Sequence, residues 1–269
     1  IDPKYSDTEH KSSQFIRSAV NNHFWYGLLS SLTWEINDQF TFSGGIDLRS
    51  YKGEHYSEVY DLLGGDYAVD LENKNASTFM RRKGDKINYH NDGLVRWGGL
   101  FGQLEYKAGN LSAFVNISAA YSGYKRIDYF LKKQLEIGDT TLNVGYLDTI
   151  VYQGVQYTRE SPGLKDAETE WKWIAGFTAK GGVNYNLSET SNIFGNVGYI
   201  TKAPRFNNIY DYYNKLYREI RNETVKAFEL GYSYYNSNIT LNVNAYWTYW
   251  ENKPVDSGVT IPINDEETA

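Results

Sequence analysis

Hydrophobic and polar residues alternate one by one along much of this chain, most regularly within residues 226–250. In that stretch, KAFELGYSYYNSNITLNVNAYWTYW, one set of alternate positions is apolar and the intervening set is mostly polar. Side chains on a β-strand point to the two faces of a sheet in turn, so this pattern predicts two amphipathic strands. The residues between them, Asn236, Ser237 and Asn238, favour a tight turn because Asn tolerates left-handed backbone angles.

The predicted strands of this hairpin are long. Each has about 12 residues, whereas a typical soluble strand has roughly 5–6 and a tilted membrane-crossing strand needs about 9–11. Length and alternation together therefore predict a transmembrane hairpin, in which the apolar face of the second strand consists of Leu241, Val243, Ala245, Trp247 and Tyr249.

Six further segments show the same alternation, which gives eight predicted strands; they are 24–36, 39–51, 94–107, 111–122, 172–186 and 192–202. Short turns near residues 37, 108, 188 and 237 alternate with the long connections 52–92, 125–169 and 203–222. Transmembrane β-barrels have tight turns on one side and long extracellular loops on the other. We also expect a short helical turn at 13–20 and strand-like extensions at 141–151.

Composition supports many strands and excludes several classes of protein. The 269 residues include 16% aromatic residues, 24 Gly and only 5 Pro, a mixture suited to β-structure. No run of eighteen apolar residues exists, which excludes transmembrane helices. A net charge of −6 disfavours nucleic acid as a partner. With no cysteine, disulfide frameworks and thiolate metal sites are absent.

The polar faces indicate that these strands are part of a larger barrel. They consist mainly of Ser, Thr, Asn, Gly and Lys, which suits a wide aqueous lumen better than a packed core. An open piece of eight strands would leave two edges unpaired in lipid, at several kcal/mol per unsatisfied backbone group. We therefore expect an all-β chain in which residues 1–269 are part of a larger closed antiparallel transmembrane β-barrel. Aromatic residues near predicted strand ends would form its interfacial girdles; they are Trp25, Trp34, Tyr106, Tyr185, Trp247 and Trp250.

Five segments resemble the barrel of TonB-dependent outer-membrane receptors, especially those of the Bacteroidetes type. They are NNHFWYG (21–27), GGIDLRSYKGEHYSEVYDLLGGDY (44–67), HNDGLVRWGGLFGQLEY (90–106), GYITKAPRFNNIY (198–210) and NETVKAFELGYSYYNSNITLNVNAYWTYWENKP (222–254). The last two resemble the APRF-type strand end of the family and its following Glu-x-Gly strand. The resemblance covers nearly the whole chain in order.

This resemblance implies a barrel of about 22 strands, closed by an N-terminal plug, in the outer membrane of a Gram-negative cell. It implies an active-transport receptor that binds a nutrient at its extracellular loops and imports it with energy from the TonB-ExbB-ExbD complex. Its partners would be the lipid bilayer, that complex through the plug, a surface lipoprotein, and a ligand such as an iron chelate, haem, cobalamin, a glycan or a peptide. The plug, the TonB box and an aromatic-ended final strand are not recognised here, so we expect a barrel fragment lacking the plug and C-terminal strands.

Two sets of residues are candidates for contacts. Tyrosines in the long loops combine a flat ring with a polar group that could bind a ligand, with loop-to-loop packing as the alternative; they are Tyr56, Tyr60, Tyr67, Tyr89, Tyr210, Tyr212 and Tyr213. Polar residues predicted to face the lumen could contact the plug, with simple solvation as the alternative; they are Asp47, Arg49, Lys180, Glu229, Asn242 and Asn244.

Catalysis and cofactor binding have no support in the sequence. The four histidines, His10, His23, His55 and His90, lack metal-ligand spacing, and no HExxH motif is present. We therefore predict no metal, no cofactor and no enzyme; an outer-membrane barrel protease or lipase would need a Ser-His or His-carboxylate pair that is not evident. The alternative to a transporter is a soluble β-rich adhesin or carbohydrate-binding module, in which Leu241, Val243 and Trp247 would lie under a second sheet.

Overall fold

The computed structural model describes residues 1–211 and 213–254, and nearly all of the regular structure is β. In chain order the strands are β1 (Ile16–Glu35), β2 (Phe40–Asp61), β3 (Ala68–Val69), β4 (Met80–Arg81), β5 (Lys86–Ala108), β6 (Leu111–Asp128), β7 (Lys133–Ile137), β8 (Thr140–Val144), β9 (Ile150–Tyr152), β10 (Val155–Tyr157), β11 (Ala167–Glu168), β12 (Lys172–Ser188), β13 (Ser191–Lys202), β14 (Glu223–Tyr235) and β15 (Thr240–Glu251). A 3-10 helix covers Phe206–Asn208. Within these described residues, no helix has the length and apolar character needed to cross a membrane.

Eight long strands form one antiparallel sheet in the order β1-β2-β5-β6-β12-β13-β14-β15, with the short β11 added beside β6. Each long strand pairs with the next long strand along the chain, so the sheet is a meander with β1 and β15 at its two edges. The all-β prediction is confirmed, and each of the eight predicted strands corresponds to one long strand. The short turns lie at one end of the sheet and the long connections at the other.

Strands at the long-connection end extend further than predicted. The helical turn expected at 13–20 is wrong, because β1 already begins at Ile16 and pairs there with the end of β2. The loop expected at 52–92 is also partly wrong, since β2 runs to Asp61 and β5 begins at Lys86. In these extensions both faces carry polar residues, so the alternation of hydrophobic and polar residues that predicts a strand is missing. The backbone pairing nevertheless continues. The connection 125–169 contains the hairpins β7–β8 and β9–β10.

Strand register places the apolar side chains on one common face. Across the last four long strands, for example, Trp247 lies opposite Phe228, Phe228 opposite Val197, and Val197 opposite Gly181. We call this the apolar face; it carries Leu28, Leu48, Leu100, Val115, Phe177, Val197, Phe228 and Trp247, and we call the opposite side of the sheet the polar face. The side chains of the apolar face are exposed on every long strand.

No element of the described residues covers the apolar face. Leu241, Val243 and Trp247, which the soluble alternative places under a second sheet, are 48%, 56% and 56% exposed. This exposure is contrary to a sandwich. The apolar segment of β6 from Leu111 to Tyr121 is about 34 Å long, and at a tilt of about 40° it spans about 26 Å, close to the roughly 25 Å apolar band of membrane barrels.

The predicted aromatic girdle is only partly placed on this face. Trp34, Tyr106 and Tyr185 lie on the apolar face beside the short turns, and Trp247 lies on it further along the sheet. Trp25 and Trp250 are adjacent in sequence to residues of the apolar face and therefore point to the polar face, which corrects their assignment to the girdle.

On the polar face, three phenylalanine rings lie over glycines of neighbouring strands. They are Phe101 over Gly45, Phe114 over Gly182 and Phe194 over Gly231. A Cβ atom at Gly182 would lie 2.5 Å from the Phe114 ring, so any side chain there would displace the ring. Glycine at these positions therefore lets the rings lie flat against the sheet.

Replacement of Gly45 by Ala is expected to destabilise the sheet by about 1–3 kcal/mol through overpacking. The new Cβ would lie 2.7 Å from the Phe101 ring and would clash with the Ser30 carbonyl oxygen. Gly198→Ala is the matched control, because its Cβ would meet only Lys180 Cγ at 3.7 Å and Ala227 Cβ at 4.0 Å. Urea unfolding midpoints of the full-length protein measure both; equal midpoints for the two variants would contradict the packing described here.

Candidate functional site

The loops at the long-connection end are held by two small buried clusters. One contains Val59, Ala68 and Ile87, against which Phe15 and Leu62 pack. The other contains Tyr124, Ile209 and Tyr210, and its further members are Val95, Ile174, Ala203, Phe206 and Ile220. The second cluster joins the connection 203–222 to residues of β5, β6 and β12 that lie on the polar face. This connection therefore folds inward over the polar face.

Hydrogen bonds fix the connection in that position. The Tyr124 hydroxyl donates to the Pro204 carbonyl oxygen at 3.1 Å, and Arg126 Nη1 donates to the Asp211 carbonyl oxygen at 2.8 Å. The Tyr210 hydroxyl lies 2.8 Å from the carbonyl oxygens of both Tyr124 and Glu170. The hydroxyl has a single hydrogen, so Tyr210 links β6 and the segment just before β12 by a shared or alternating hydrogen bond.

A cavity of about 370 Å³ remains between this connection and the polar face. We call it the vestibule; its lining includes Tyr51, His55, Asn91, Arg126, Phe206 and Tyr210. The mixture of ring faces, one guanidinium, an imidazole and an amide offers stacking surfaces together with hydrogen-bond donors and acceptors. Its position at the long-connection end makes the vestibule a candidate for binding a small ligand.

Two histidines meet at the rim of the vestibule. His23 Nδ1 lies 2.7 Å from the Tyr51 hydroxyl oxygen, and His55 Nδ1 lies 2.6 Å from Asn21 Oδ1. The two imidazole rings are 5.9 Å apart, edge to face. An amide oxygen only accepts, so Nδ1 of His55 carries the hydrogen of this bond.

The electrostatic environment of His55 favours its neutral form. Burial lowers the pKa of His55, which lies beyond the strand segments that carry the apolar face, and the positive charges of His23 and Arg126 act in the same direction. Asp92 opposes this shift. The His23–His55 pair is not among the predicted contacts because the two residues are far apart along the chain. The predicted turn between β1 and β2 could have revealed this pair. The strand register that follows from that turn sets Asn21 opposite His55 and His23 opposite Gly53.

A second polar cluster lies on the other side of the sheet, above the apolar face. The Asp92 carboxylate is almost fully buried; Lys52 Nζ and the Tyr129 hydroxyl each approach it to 2.7 Å. Burial and the Asp92 carboxylate raise the pKa of Tyr129, so its hydroxyl remains a donor. His90 stacks on Tyr129 with ring centres 4.2 Å apart. This cluster ties β2, β5 and β6 together.

Among the described residues, no group of three or more His, Cys, Asp or Glu side chains is arranged to hold a metal ion.

The tyrosines predicted to bind a ligand differ in burial and in position. Tyr67 is fully buried beside Tyr5, and Tyr210 is 4% exposed with its hydroxyl bonded to the backbone. Both rings pack against protein in this structure, and ligand contact by either stays a prediction. Of the described members of the set, Tyr210 alone is part of the vestibule lining.

The other predicted tyrosines lie elsewhere at the same end of the sheet. Tyr56 lies 4.0 Å beneath the Lys86 ammonium group, and Tyr60 lies 6.0 Å from that of Lys83. Tyr89 is half-buried and Tyr213 is 65% exposed. Tyr212 lies outside the described residues. Ligand contact by the exposed members stays a prediction.

The six residues predicted to face the lumen all lie on the polar face. Register puts Arg49 opposite Trp97, Lys180 opposite Asn116, Glu229 opposite Asn196 and Asn244 opposite Gly231; Asp47 and Asn242 share this face. Asp47 accepts two hydrogen bonds from Arg49, at 2.9 Å and 2.5 Å, while the Arg49 guanidinium stacks over the Trp97 ring at 5.0 Å. Their contact with a plug stays a prediction.

Comparisons with known proteins agree with this architecture. Residues 2–267 match the family model described as TonB dependent receptor-like, beta-barrel. One solved structure of similar fold is described as Copper transporter OprC, with a TM-score of 0.53 and 11% sequence identity. The match covers 86% of this chain and 31% of that chain, and at this identity it shows the fold alone. Among the curated proteins, none matches this sequence.

Tyr210→Phe is expected to loosen the connection 203–222, because the change removes a hydroxyl that bonds to buried carbonyl oxygens, at a cost of about 1–2 kcal/mol. Amide hydrogen exchange of this connection in the full-length protein should accelerate. Tyr217→Phe removes a hydroxyl from a half-exposed ring of the same connection and serves as the control. If Tyr210→Phe leaves exchange at the level of Tyr217→Phe, the hydroxyl does not hold the connection.

Acidification is expected to loosen the vestibule. The lowered pKa of His55 means that the open state binds a proton before the folded state does, so stability is lost as pH falls below about 6.5 towards the lower folded value. Hydrogen exchange of residues 50–56, corrected for its intrinsic pH dependence, should rise between about pH 7.5 and 5.5. His55→Asn should reduce this rise, whereas His10→Asn, which alters a side chain that is 69% exposed, should not. A rise that is unchanged in His55→Asn would assign the effect to another group.

Proposed function

Because this chain belongs to the TonB dependent receptor-like β-barrel family, we propose that it is part of an outer-membrane transport receptor, which binds a nutrient at its extracellular loops and imports it with energy supplied through TonB. One observation carries the proposal: an uncovered apolar face runs in register across all eight long strands and is backed by a polar face. A lipid-facing wall with an aqueous interior has this arrangement.

The exposed apolar face requires a hydrophobic environment. Soluble monomers rarely expose contiguous apolar patches larger than about 300–600 Å². Each fully exposed Leu, Val or Phe side chain forfeits about 1.5–3 kcal/mol of transfer free energy relative to burial. With such side chains on every long strand, acyl chains are the cover that satisfies the whole face at once.

The two edges of the sheet imply further strands. Within residues 1–211 and 213–254, β1 and β15 each pair with one neighbouring long strand, which leaves a row of backbone groups on their outer sides without cross-strand partners among these residues. In a bilayer, each such group costs several kcal/mol. We infer that both edges pair with other strands of the same receptor in a closed barrel of about 22 strands, with the polar face around a plug. In that barrel Asp47, Arg49, Lys180, Glu229, Asn242 and Asn244 would face the plug, through which the TonB-ExbB-ExbD complex acts.

The vestibule and the exposed loop tyrosines are the proposed first contacts of an incoming ligand. The vestibule opens on the polar face at the end with the long connections, which would be extracellular in this orientation. Iron chelates, haem, cobalamin, glycans and peptides are the ligand classes to compare, with a surface lipoprotein as a further partner. The copper named for the similar structure is not transferred, since that likeness concerns the fold. Growth of a deletion strain with each nutrient class, alone and with the restored gene, would identify the class.

Cell fractionation tests the proposed location directly. The full-length protein is expected to sediment with outer membranes and to resist high salt and alkaline carbonate until detergent is added, because its apolar face is solvated by lipid. Immunoblots of each fraction measure the outcome. Recovery of the full-length protein as a soluble monomer would end the proposal.

A pair of adjacent variants sharpens this test. Ile117→Arg places a charge near the middle of the apolar face and is expected to destabilise the full-length protein in lipid vesicles by about 2–4 kcal/mol. Ser118→Arg, one residue along β6, places the same charge on the polar face opposite Thr178 and should be nearly neutral. Guanidinium unfolding in vesicles measures both. Equal effects at the two positions would mean that lipid does not contact the apolar face.

A further inference from the structure

The apolar face bears an arginine without an ion pair near its long-connection end. Arg96 lies four residues before Leu100 on β5, on the same face, and its side chain is exposed. Its guanidinium carbon lies 4.7 Å from the centre of the Trp171 ring. Among the ion pairs of residues 1–211 and 213–254, none involves Arg96. A positive charge is therefore presented on a face that is otherwise apolar, and no protein carboxylate in the described chain compensates it.

A column of aromatic rings leads from the apolar face to this arginine. Tyr121 stacks on Trp173 with ring centres 5.1 Å apart, and Trp173 stacks on Trp171 at 5.7 Å. Gly123 lies opposite both Arg96 and Trp173, and a Cβ atom there would come within 2.8 Å of the Trp173 ring. The lack of a side chain at Gly123 thus lets the indole lie flat. We call Tyr121, Trp173, Trp171 and Arg96 the Arg96 column.

The neighbouring cations on this face are already neutralised. Lys52 and Lys125 lie one step further along the sheet, opposite Leu94 from its two sides. Lys52 Nζ is 2.7 Å from the Asp92 carboxylate, and Lys125 Nζ is 3.0 Å from that of Glu168. Arg96 therefore differs from both lysines in having its N–H groups available.

Measured from the short-turn end of the sheet, Arg96 lies where the apolar band of a membrane barrel ends. Tyr106 lies beside the short turn after β5, and the segment from Tyr106 to Arg96 is about 34 Å long at roughly 3.4 Å per residue. At a tilt of about 40° it rises about 26 Å, which matches the ~25 Å apolar band. Trp and Tyr rings favour the headgroup level of a bilayer, where Trp171 and Trp173 would lie.

On the premise of the proposed membrane location, we propose that the Arg96 column binds the phosphate of an outer-leaflet lipid headgroup. A guanidinium over an indole ring still presents N–H groups, and its planar edge matches two phosphate oxygens in a bidentate contact. An uncompensated charge at the edge of the hydrocarbon layer is costly, so a phosphate at this height supplies the missing partner. The acyl chains of the same lipid would lie along the aliphatic side chains below, which favours a lipid over free phosphate.

The test uses the full-length receptor in neutral detergent micelles, titrated with bisphosphorylated lipid A and followed by native mass spectrometry. Arg96→Gln is expected to weaken binding on the order of tenfold, because a charge-assisted bidentate contact is lost. Arg96→Lys should bind with intermediate affinity, since it keeps the charge without the planar edge. Dephosphorylated lipid A should bind the wild type and Arg96→Gln equally. Lys202→Gln, which removes an exposed cation from the polar face, is the matched control and should bind like the wild type.

Equal affinities of the wild type and Arg96→Gln for the phosphorylated lipid would overturn the inference. Inorganic phosphate that displaces the lipid at comparable concentration would also overturn it, because the site would then recognise the free anion. Fractionation separates this outcome from a failure of the proposed function. A receptor that still sediments with outer membranes but binds lipid without regard to Arg96 keeps its proposed location and loses only the lipid site.

Discussion

Backbone pairing in one nearly unbroken register from β1 to β15 is the constraint on which the rest of this structure depends. Because side chains alternate between faces, a slip of one residue at any hairpin would send every apolar side chain beyond it to the polar face. The first and last hairpins set their register by the same device. Asn37 Oδ1 accepts hydrogen bonds from the backbone N–H groups of Gln39 and Phe40, and Asn236 Oδ1 accepts them from Asn238 and Ile239.

The sequence predicts the parts of the fold in which a strand has one apolar face and one polar face. Where one face is apolar and the other polar, as from Leu111 to Tyr121, the alternation reveals both the strand and its orientation. Beyond that band both faces contact water or loops, and the pattern disappears although the pairing continues. This is why the extensions of β2 to Asp61 and of β1 back to Ile16 were predicted as a loop and a helical turn.

The candidate site was less accessible to sequence reasoning because its contacts join distant connections. The Tyr210 hydroxyl meets the backbone of Tyr124 from 86 residues further along the chain, and no local pattern encodes that meeting. Burial of Tyr67 is likewise a property of the packed loops and not of its neighbours in sequence. The His23–His55 contact is the exception, since hairpin geometry alone, propagated from the turn at Asn37, would have placed those rings together.

The three phenylalanine rings that lie over glycines determine how far side chains project from that part of the polar face. A ring flat on the sheet projects by about the ~3.5 Å thickness of an aromatic layer, far less than an upright side chain. Phe101, Phe114 and Phe194 therefore have a shallow profile on this face. In the proposed closed barrel these three rings would line the inner wall, where they would project less into the lumen than upright side chains.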